Sequence, residues 1–237
     1  MRRDHRRPDG QPDGLEARFK PDDGDPGPNP EAGEEVGWLR LARERELVLA
    51  SASPRRAELL DVLGLRYVVH ASGVSETGDW TDPCERARHL AGAKAAAVAP
   101  FHPKGLILGA DTEVILDGLS LGKPACPRDA HRMLLRLRGR THRVITGLCL
   151  IDAPTGLSAL AVEGTLVTMR DFSNAEAAYC AYGGDSLDKA GAYGIQGLAS
   201  VLVERIEGCF HNVVGLPLSR LAMMMEGLWR SIGETGR

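Results

Sequence analysis

The 237-residue chain predicts an α/β domain on three observations. Short apolar runs, Leu47-Val48-Leu49-Ala50 and Leu106-Ile107-Leu108-Gly109-Ala110, have the length and composition of buried strands. Between them Ser53-Pro54 opens and Gly64 closes one segment, the start and stop signals of a helix, and an Ala-rich segment opens on Pro83. Two longer runs, His142 to Ile151 and Leu157 to Met169, flank Ala153-Pro154-Thr155-Gly156 as the arms of a long antiparallel hairpin flank its turn.

Taken in order, residues 1–44 read as a disordered extension and 45–237 as the folded domain. The first 40 residues hold six Pro, six Gly and ten Asp or Glu with little apolar content, so they cannot bury enough surface to offset chain entropy. Strand 47–50 runs into Ser51-Ala52-Ser53-Pro54, where Ser53 fits an N-cap and Pro54 a first helical position. Leu59, Leu60 and Leu63 give that helix its apolar face, and Gly64 ends it. Arg66 to His70 reads as a second strand, and Pro83 to about Ala99 as an Ala-rich helix. Strand 106–110 delivers Asp111 at its C-terminal end, and Asp117-Gly118 signals a tight hairpin turn. Arg128 to Arg138 is amphipathic and capped by Gly139, and Ser173 opens a helix to about Tyr182. Residues 183–197 form a glycine-rich loop around Asp188, Lys189 and Gln196. Val201 to Ile206 reads as a strand and Leu216 to Leu228 as a closing helix.

Composition excludes several classes of function. With 29 basic against 32 acidic side chains the net charge is −3, far from the cationic field that duplex nucleic acid demands. No apolar run approaches the roughly 20 residues of a spanning helix, and no apolar stretch follows the arginines at the N-terminus. The expectation is a soluble, cytoplasmic protein with no nucleic-acid or membrane partner. Five widely spaced cysteines without a C-x-x-C pair argue against a zinc site or a disulfide framework.

Three segments carry groups suited to phosphate chemistry. Ser51 and Ser53 with Arg55 and Arg56 stand where a strand hands over to a helix N-terminus, so hydroxyls, free N–H groups and two guanidiniums face one anion site. An ordinary capped helix with solvated arginines fits that segment equally well. Asp111-Thr112 follows a buried strand, where α/β folds place ligand sites, and Asp111 with Glu76 would suffice for a Mg²⁺ ion that keeps water and phosphate oxygens as its other ligands. The plainer alternatives are a helix or turn cap for Asp111 and a solvated loop charge for Glu76, and taken alone Glu76 reads as the latter. Gly122-Lys123-Pro124 and the Asp188 to Gly197 loop set Lys123 and Lys189 where backbone can approach a phosphate, and Gln196 offers a primary amide for a base edge. No Walker signature, serine-hydrolase elbow or histidine metal spacing is present.

In order and spacing, Leu49-Ala50-Ser51-Ala52-Ser53-Pro54-Arg55-Arg56, Gly109-Ala110-Asp111-Thr112, Gly122-Lys123-Pro124, Gly139 to Gly147 and Asp188 to Gly197 resemble the Maf family of nucleoside triphosphate pyrophosphatases. The likeness spans about residues 46–228 and includes Asn212-Val213-Val214-Gly215-Leu216-Pro217-Leu218. It implies a mixed, elongated β-sheet with flanking helices and two lobes around a cleft, like that of inosine triphosphate pyrophosphatases, often as a homodimer. It also implies metal-dependent (Mg or Mn) cleavage between the α and β phosphates of a nucleoside triphosphate substrate. By the resemblance Asp111 is the proton acceptor, Arg55, Thr112 and Gln196 are the specificity positions, Lys94 and Lys123 lie near the phosphates, and Glu76 is on the metal side. The three specificity residues resemble the branch acting on dTTP and UTP rather than the 7-methyl-GTP branch. A nucleotide-binding regulator of septum formation is the other role associated with the family. Ser75 and Glu113 depart from the family pattern, which commonly has an acid at the first and an apolar residue at the second.

Overall fold

The computed structural model describes residues 15–18, 36–78, 80–184 and 186–235. Among them, eight strands form one mixed sheet: β1 (Leu15–Arg18), β2 (Glu46–Leu49), β3 (Tyr67–His70), β4 (Gly105–Leu116), β5 (Leu119–Leu121), β6 (Thr141–Asp152), β7 (Ser158–Met169) and β8 (Val203–Glu207). The order is β1-β3-β2-β4-β6-β7-β8, with β5 paired to β4. Only β2 pairs in parallel, with β3 and β4; every other pairing is antiparallel. The helices are α1 (Gly37–Glu44), α2 (Pro54–Val62), α3 (Pro83–Val98), α4 (Pro127–Leu137), α5 (Asn174–Tyr182), α6 (Phe210–Val214) and α7 (Leu218–Thr235). None is long and apolar enough to cross a membrane.

Three strands of 12 residues, β4, β6 and β7, make the sheet elongated, as expected. Alternation along β4 then builds two cores on one face. Leu106, Leu108 and Ala110 join α2 and α7, whereas Val114 and Leu116 join α4 and α5. Between them, at the position where one more apolar residue would fuse the two cores, stand Thr112 and its cross-strand partner Thr146, with hydroxyls 2.9 Å apart. The polar seam continues through Asn212, whose Nδ2 donates to Val144 O and Thr165 Oγ1, both at 3.0 Å. Two lobes therefore share one sheet and part at this seam.

The other face of the sheet carries α3. Ala91, Ala95 and Val98 pack on Val48, Ile107 and Cys149, and the fit depends on two glycines in the strands beneath. A Cβ at Gly109 would overlap the Ala91 carbonyl oxygen, and one at Gly147 the Ala87 carbonyl oxygen. Gly147 is also the residue paired with Asp111 across β4 and β6. The bare backbone at these two points lets the helix lie directly on the sheet beside Asp111.

Three sequence expectations are corrected. The sequence predicts a disordered extension over 1–44, but Gly37–Glu44 is helical because Leu41 is fully buried, the Trp38 backbone N–H donates to Glu226 Oε2 at 3.0 Å, and Arg40 lies over the Trp229 ring. Burial of one leucine offsets roughly 1.5–3 kcal/mol of ordering cost. A strand is also described at 15–18, and the rest of residues 1–35 lies outside the described residues. Asp111 does not terminate its strand: β4 runs on to Leu116 because its pairing with β6 continues to Ile115. The short helix α6 was not anticipated, and the closing helix begins at Leu218 rather than Leu216. The Asp117-Gly118 turn forms with both residues at positive φ, 54° and 77°, as a two-residue hairpin requires.

Replacement of Gly147 by Ala is expected to push α3 from the sheet, costing roughly 1–3 kcal/mol in denaturant unfolding and displacing the helix that faces Asp111. An unchanged midpoint would contradict the close-approach argument. A second expectation concerns pH. His142 is buried, with Nε2 2.7 Å from the Tyr193 hydroxyl and Nδ1 without a hydrogen-bond partner among the described residues, and burial lowers its pKa to about 4. The unfolded chain, with an ordinary histidine near 6.5, therefore binds the extra proton first as pH falls. Stability should drop between pH 6.5 and 4 by up to about 3 kcal/mol from this group and stay level above that window. Unfolding curves at pH 7 and 5 should show a smaller pH difference for His142→Gln than for the wild type.

Candidate active site

An interruption in the hydrogen bonding of β4 places the cleft. One edge of β4 is paired with β6 throughout; on the other, β2 pairs only through Leu108 and β5 only from Val114. Residues 109–113 thus have an open edge, and side chains from both faces of the sheet reach the space beside it. That space is a cleft of about 690 Å³, the size range of small-molecule sites. Its lining gathers Ser51, Ser53, Arg55, Arg56, Glu76, Lys94, Asp111, Thr112, Lys123, Lys189 and Gln196, every residue that the sequence reading nominated.

Asp111 lies at the centre and is buried. Its Oδ1 accepts from Lys94 Nζ at 2.6 Å, and the same ammonium donates to Glu76 Oε1 at 2.5 Å. Lys94 is itself buried in α3, one turn beyond the Ala91 that rests on Gly109. Burial pushes the Glu76 carboxyl up, but the hydrogen bond and charge of Lys94, with Lys123 and Arg56 beyond, outweigh it, and the group is held below its ordinary range. Two carboxylates therefore converge on one cation. Hard oxygen donors from two carboxylates, beside a cleft lined with phosphate-binding groups, suit a Mg²⁺ or Mn²⁺ ion that shares its remaining positions with water and substrate. Among the described residues no third His, Cys, Asp or Glu joins them.

The two arginines separate in role. Arg56, at the start of α2, is buried, and four N–H groups are committed: Nε to Gly215 O at 2.9 Å, Nη1 to Ser51 Oγ at 2.8 Å and to Ala110 O at 2.9 Å, Nη2 to Thr112 Oγ1 at 3.0 Å. Burial lowers its pKa against the pull of Asp111 and Glu76. Arg56 thus ties together the walls of the cleft and satisfies a carbonyl of the open β4 edge. Arg55 instead faces the opposite lobe, with Nη1 2.6 Å from Asp188 Oδ2. Asp188 also accepts from Lys189 Nζ at 2.8 Å, and although burial raises its pKa, Lys189 and Arg55 bring it down to about 2. Asp188, not nominated from the sequence, bridges two nominated cations.

Ser53 occupies the N-cap of α2 with Pro54 in the first turn, as the sequence predicts, and its side chain makes no capping hydrogen bond. Ser51 Oγ accepts both the Ser53 N–H and Arg56, which leaves the Ser53 hydroxyl to the cleft. Thr112 Oγ1 is shared among Arg56, Thr146 and Gly215 O, so its hydroxyl serves the framework and its remaining surface the cleft. Lys123 and Gln196 are exposed on the cleft wall. Gly191, at φ 70°, packs on Val114, and its N–H donates to Gly122 O at 3.1 Å, which couples the glycine-rich loop to the segment carrying Lys123. Thr146 lies in the Gly139 to Gly147 motif and Asn212 opens the Asn212 to Leu218 motif, and neither motif by itself shows a role for them.

A family model described as Maf-like protein matches residues 46–228. The chain belongs to the Maf-like family. It is 45% identical over 184 residues, 77% of this chain and 96% of the relative, to a dTTP/UTP pyrophosphatase of Pelotomaculum thermopropionicum. Proteins of the same name from Syntrophomonas wolfei and Deinococcus radiodurans are 47% and 44% identical over 180 and 181 residues, 75% and 76% of this chain and 94% and 92% of those proteins. For this Maf-like chain, the matched span begins at β2 and so includes every cleft residue, while α1 lies before it.

Arg56→Lys should cost roughly 2–4 kcal/mol, because a single ammonium cannot reach four acceptors and leaves buried oxygens unpaired. Thermal and denaturant unfolding would measure it, and a loss below about 0.5 kcal/mol would show that the guanidinium is dispensable to the framework.

Proposed function

We propose that this protein hydrolyses nucleoside triphosphates, dTTP and UTP foremost, to the monophosphate and pyrophosphate. The observation that carries the reading is the Asp111–Lys94–Glu76 cluster at the open edge of β4, set within a cationic cleft of nucleotide size. The names of the relatives support the substrate class.

In this reading the triphosphate enters between the lobes, with Arg55, Lys123, Lys189 and the Ser53 hydroxyl offered to its oxygens from both sides. Arg56 holds the floor rather than acting as a mobile ligand. Lys94 clamps one oxygen of Asp111 and leaves the other to orient a water molecule and take its proton. The water oxygen bonds to the α phosphorus, the bond from that phosphorus to the bridging oxygen breaks, and pyrophosphate departs with the electron pair. Fixed cations facing the departing group lower the cost of its charge, the main lever available to phosphoryl chemistry. A divalent ion held by Glu76 and Asp111 would add positive charge to the phosphate oxygens. Base selection falls to Gln196, whose amide can pair with a pyrimidine edge, and to Arg55 and Thr112, which border the same space.

A panel of dTTP, UTP, CTP, GTP and 7-methyl-GTP with Mg²⁺ or Mn²⁺ should give pyrophosphate from dTTP and UTP at the highest kcat/KM. Asp111→Asn should lower kcat by at least about 10²-fold with an unchanged unfolding midpoint. Orthophosphate as the product, or an active Asp111→Asn, would refute the mechanism; turnover of 7-methyl-GTP alone would refute the substrate assignment.

A further inference from the structure

Asp111 has a neighbour of the same charge. Glu113 stands two residues along β4 and so on the same face, the one covered by α3. Each carboxylate meets a cation of that helix: Lys94 for Asp111, and for Glu113 the Arg86 Nη1, 2.9 Å from Oε1. Only the first pair lines the cleft. Glu113 is 2% exposed, opposite the buried Ile145, and neither of its oxygens accepts a hydrogen bond of good geometry among the described residues. A carboxylate held so dry costs stability that an apolar side chain there would not.

What Glu113 restrains is Arg86, and Arg86 has a second attachment. Its Nη2 donates to the backbone carbonyl of Glu76 at 3.0 Å. The segment 71–77 forms neither helix nor strand. Its described hydrogen bonds to the rest of the fold both end on Glu76 and both come from α3, Arg86 to the carbonyl and Lys94 to the carboxylate. The two pairs on β4 thus act as parallel rungs whose cations reach the same residue.

We propose that Glu113 is a positioning residue: by fixing the Arg86 guanidinium it holds the Glu76 backbone where the Glu76 carboxylate meets Lys94 and Asp111. Arginine suits the task because its planar fork serves the carboxylate and the carbonyl with different nitrogens, which an ammonium cannot do at one fixed geometry. Without Glu113, Arg86 is a quarter-exposed side chain free to turn to water. The catalytic consequence rests on the pyrophosphatase reading; the positioning itself does not.

Hydrogen exchange by mass spectrometry, on the full chain without nucleotide, tests it in wild type, Glu113→Leu, Glu113→Gln and Arg86→Lys. Amides of 72–77 should exchange at least about fivefold faster in Glu113→Leu and Arg86→Lys, and by a smaller factor in Glu113→Gln, while β6 keeps its protection. In the pyrophosphate assay the same variants should lose about tenfold in kcat/KM. Exchange of 72–77 within twofold of wild type in folded Glu113→Leu and Arg86→Lys would overturn the proposal; if Glu113→Leu unfolds, Glu113→Gln and Arg86→Lys are judged by the same criterion. A wild type that releases no pyrophosphate would sink the functional reading and leave the exchange result to decide the role of Glu113.

Discussion

A sheet must satisfy its backbone hydrogen bonds, and here one strand edge is left without a neighbouring strand over five residues. β2 leaves β4 at Leu108 and β5 joins it at Val114. The Arg56 guanidinium closes part of that gap by taking the Ala110 carbonyl, and its other nitrogens reach Ser51, Thr112 and Gly215. One buried cation therefore takes one of the carbonyls that a strand would otherwise pair, and it leaves beside it a space that a strand would have filled. The cleft, the polar seam between the two cores and the position of the buried Asp111 on the cleft wall all go with this substitution of side chain for backbone.

The opposite face of the sheet supplies the charge. Because Gly109 and Gly147 carry no side chains, α3 lies close enough for Lys94 and Arg86 to meet carboxylates that point out of β4. Removing water from such pairs strengthens their attraction and also makes each partner costly to lose. The cluster is therefore stiff, with the Glu76 segment attached to it at two points. A stiff arrangement of one carboxylate, one ammonium and a second carboxylate serves a reaction in which positioning and fixed charge provide most of the rate.

Much of this was legible in the residues. Apolar runs, Gly stops and the Asp117-Gly118 turn located the strands and helices because these signals are local. The nominated cleft residues all line one cavity because short motifs at strand ends converge in an α/β fold. What escaped was long-range. The helix at Gly37–Glu44 sits in a polar, glycine-rich context, and its stability comes from α7 nearly two hundred residues away. The extent of β4 beyond Asp111 depends on β6, and the pairing of Arg55 with Asp188 joins residues 133 apart in sequence. Arg56 resembled Arg55 as a phosphate ligand because adjacent residues at a helix start are alike in sequence; only the fold separates the one turned inward from the one facing the cleft. Glu113 stood out as an irregular residue, but its partner Arg86 was invisible without the helix packed over it.

In the proposed mechanism the cluster around Asp111 directs water at the α phosphorus. Hydrolysis of dTTP in water enriched in heavy oxygen tests it in one step, with mass spectrometry of both products. The proposed mechanism predicts the label in the monophosphate and none in the pyrophosphate. Label in the pyrophosphate would mean attack at the β phosphorus and would contradict the placement of Asp111 as the group that handles the attacking water.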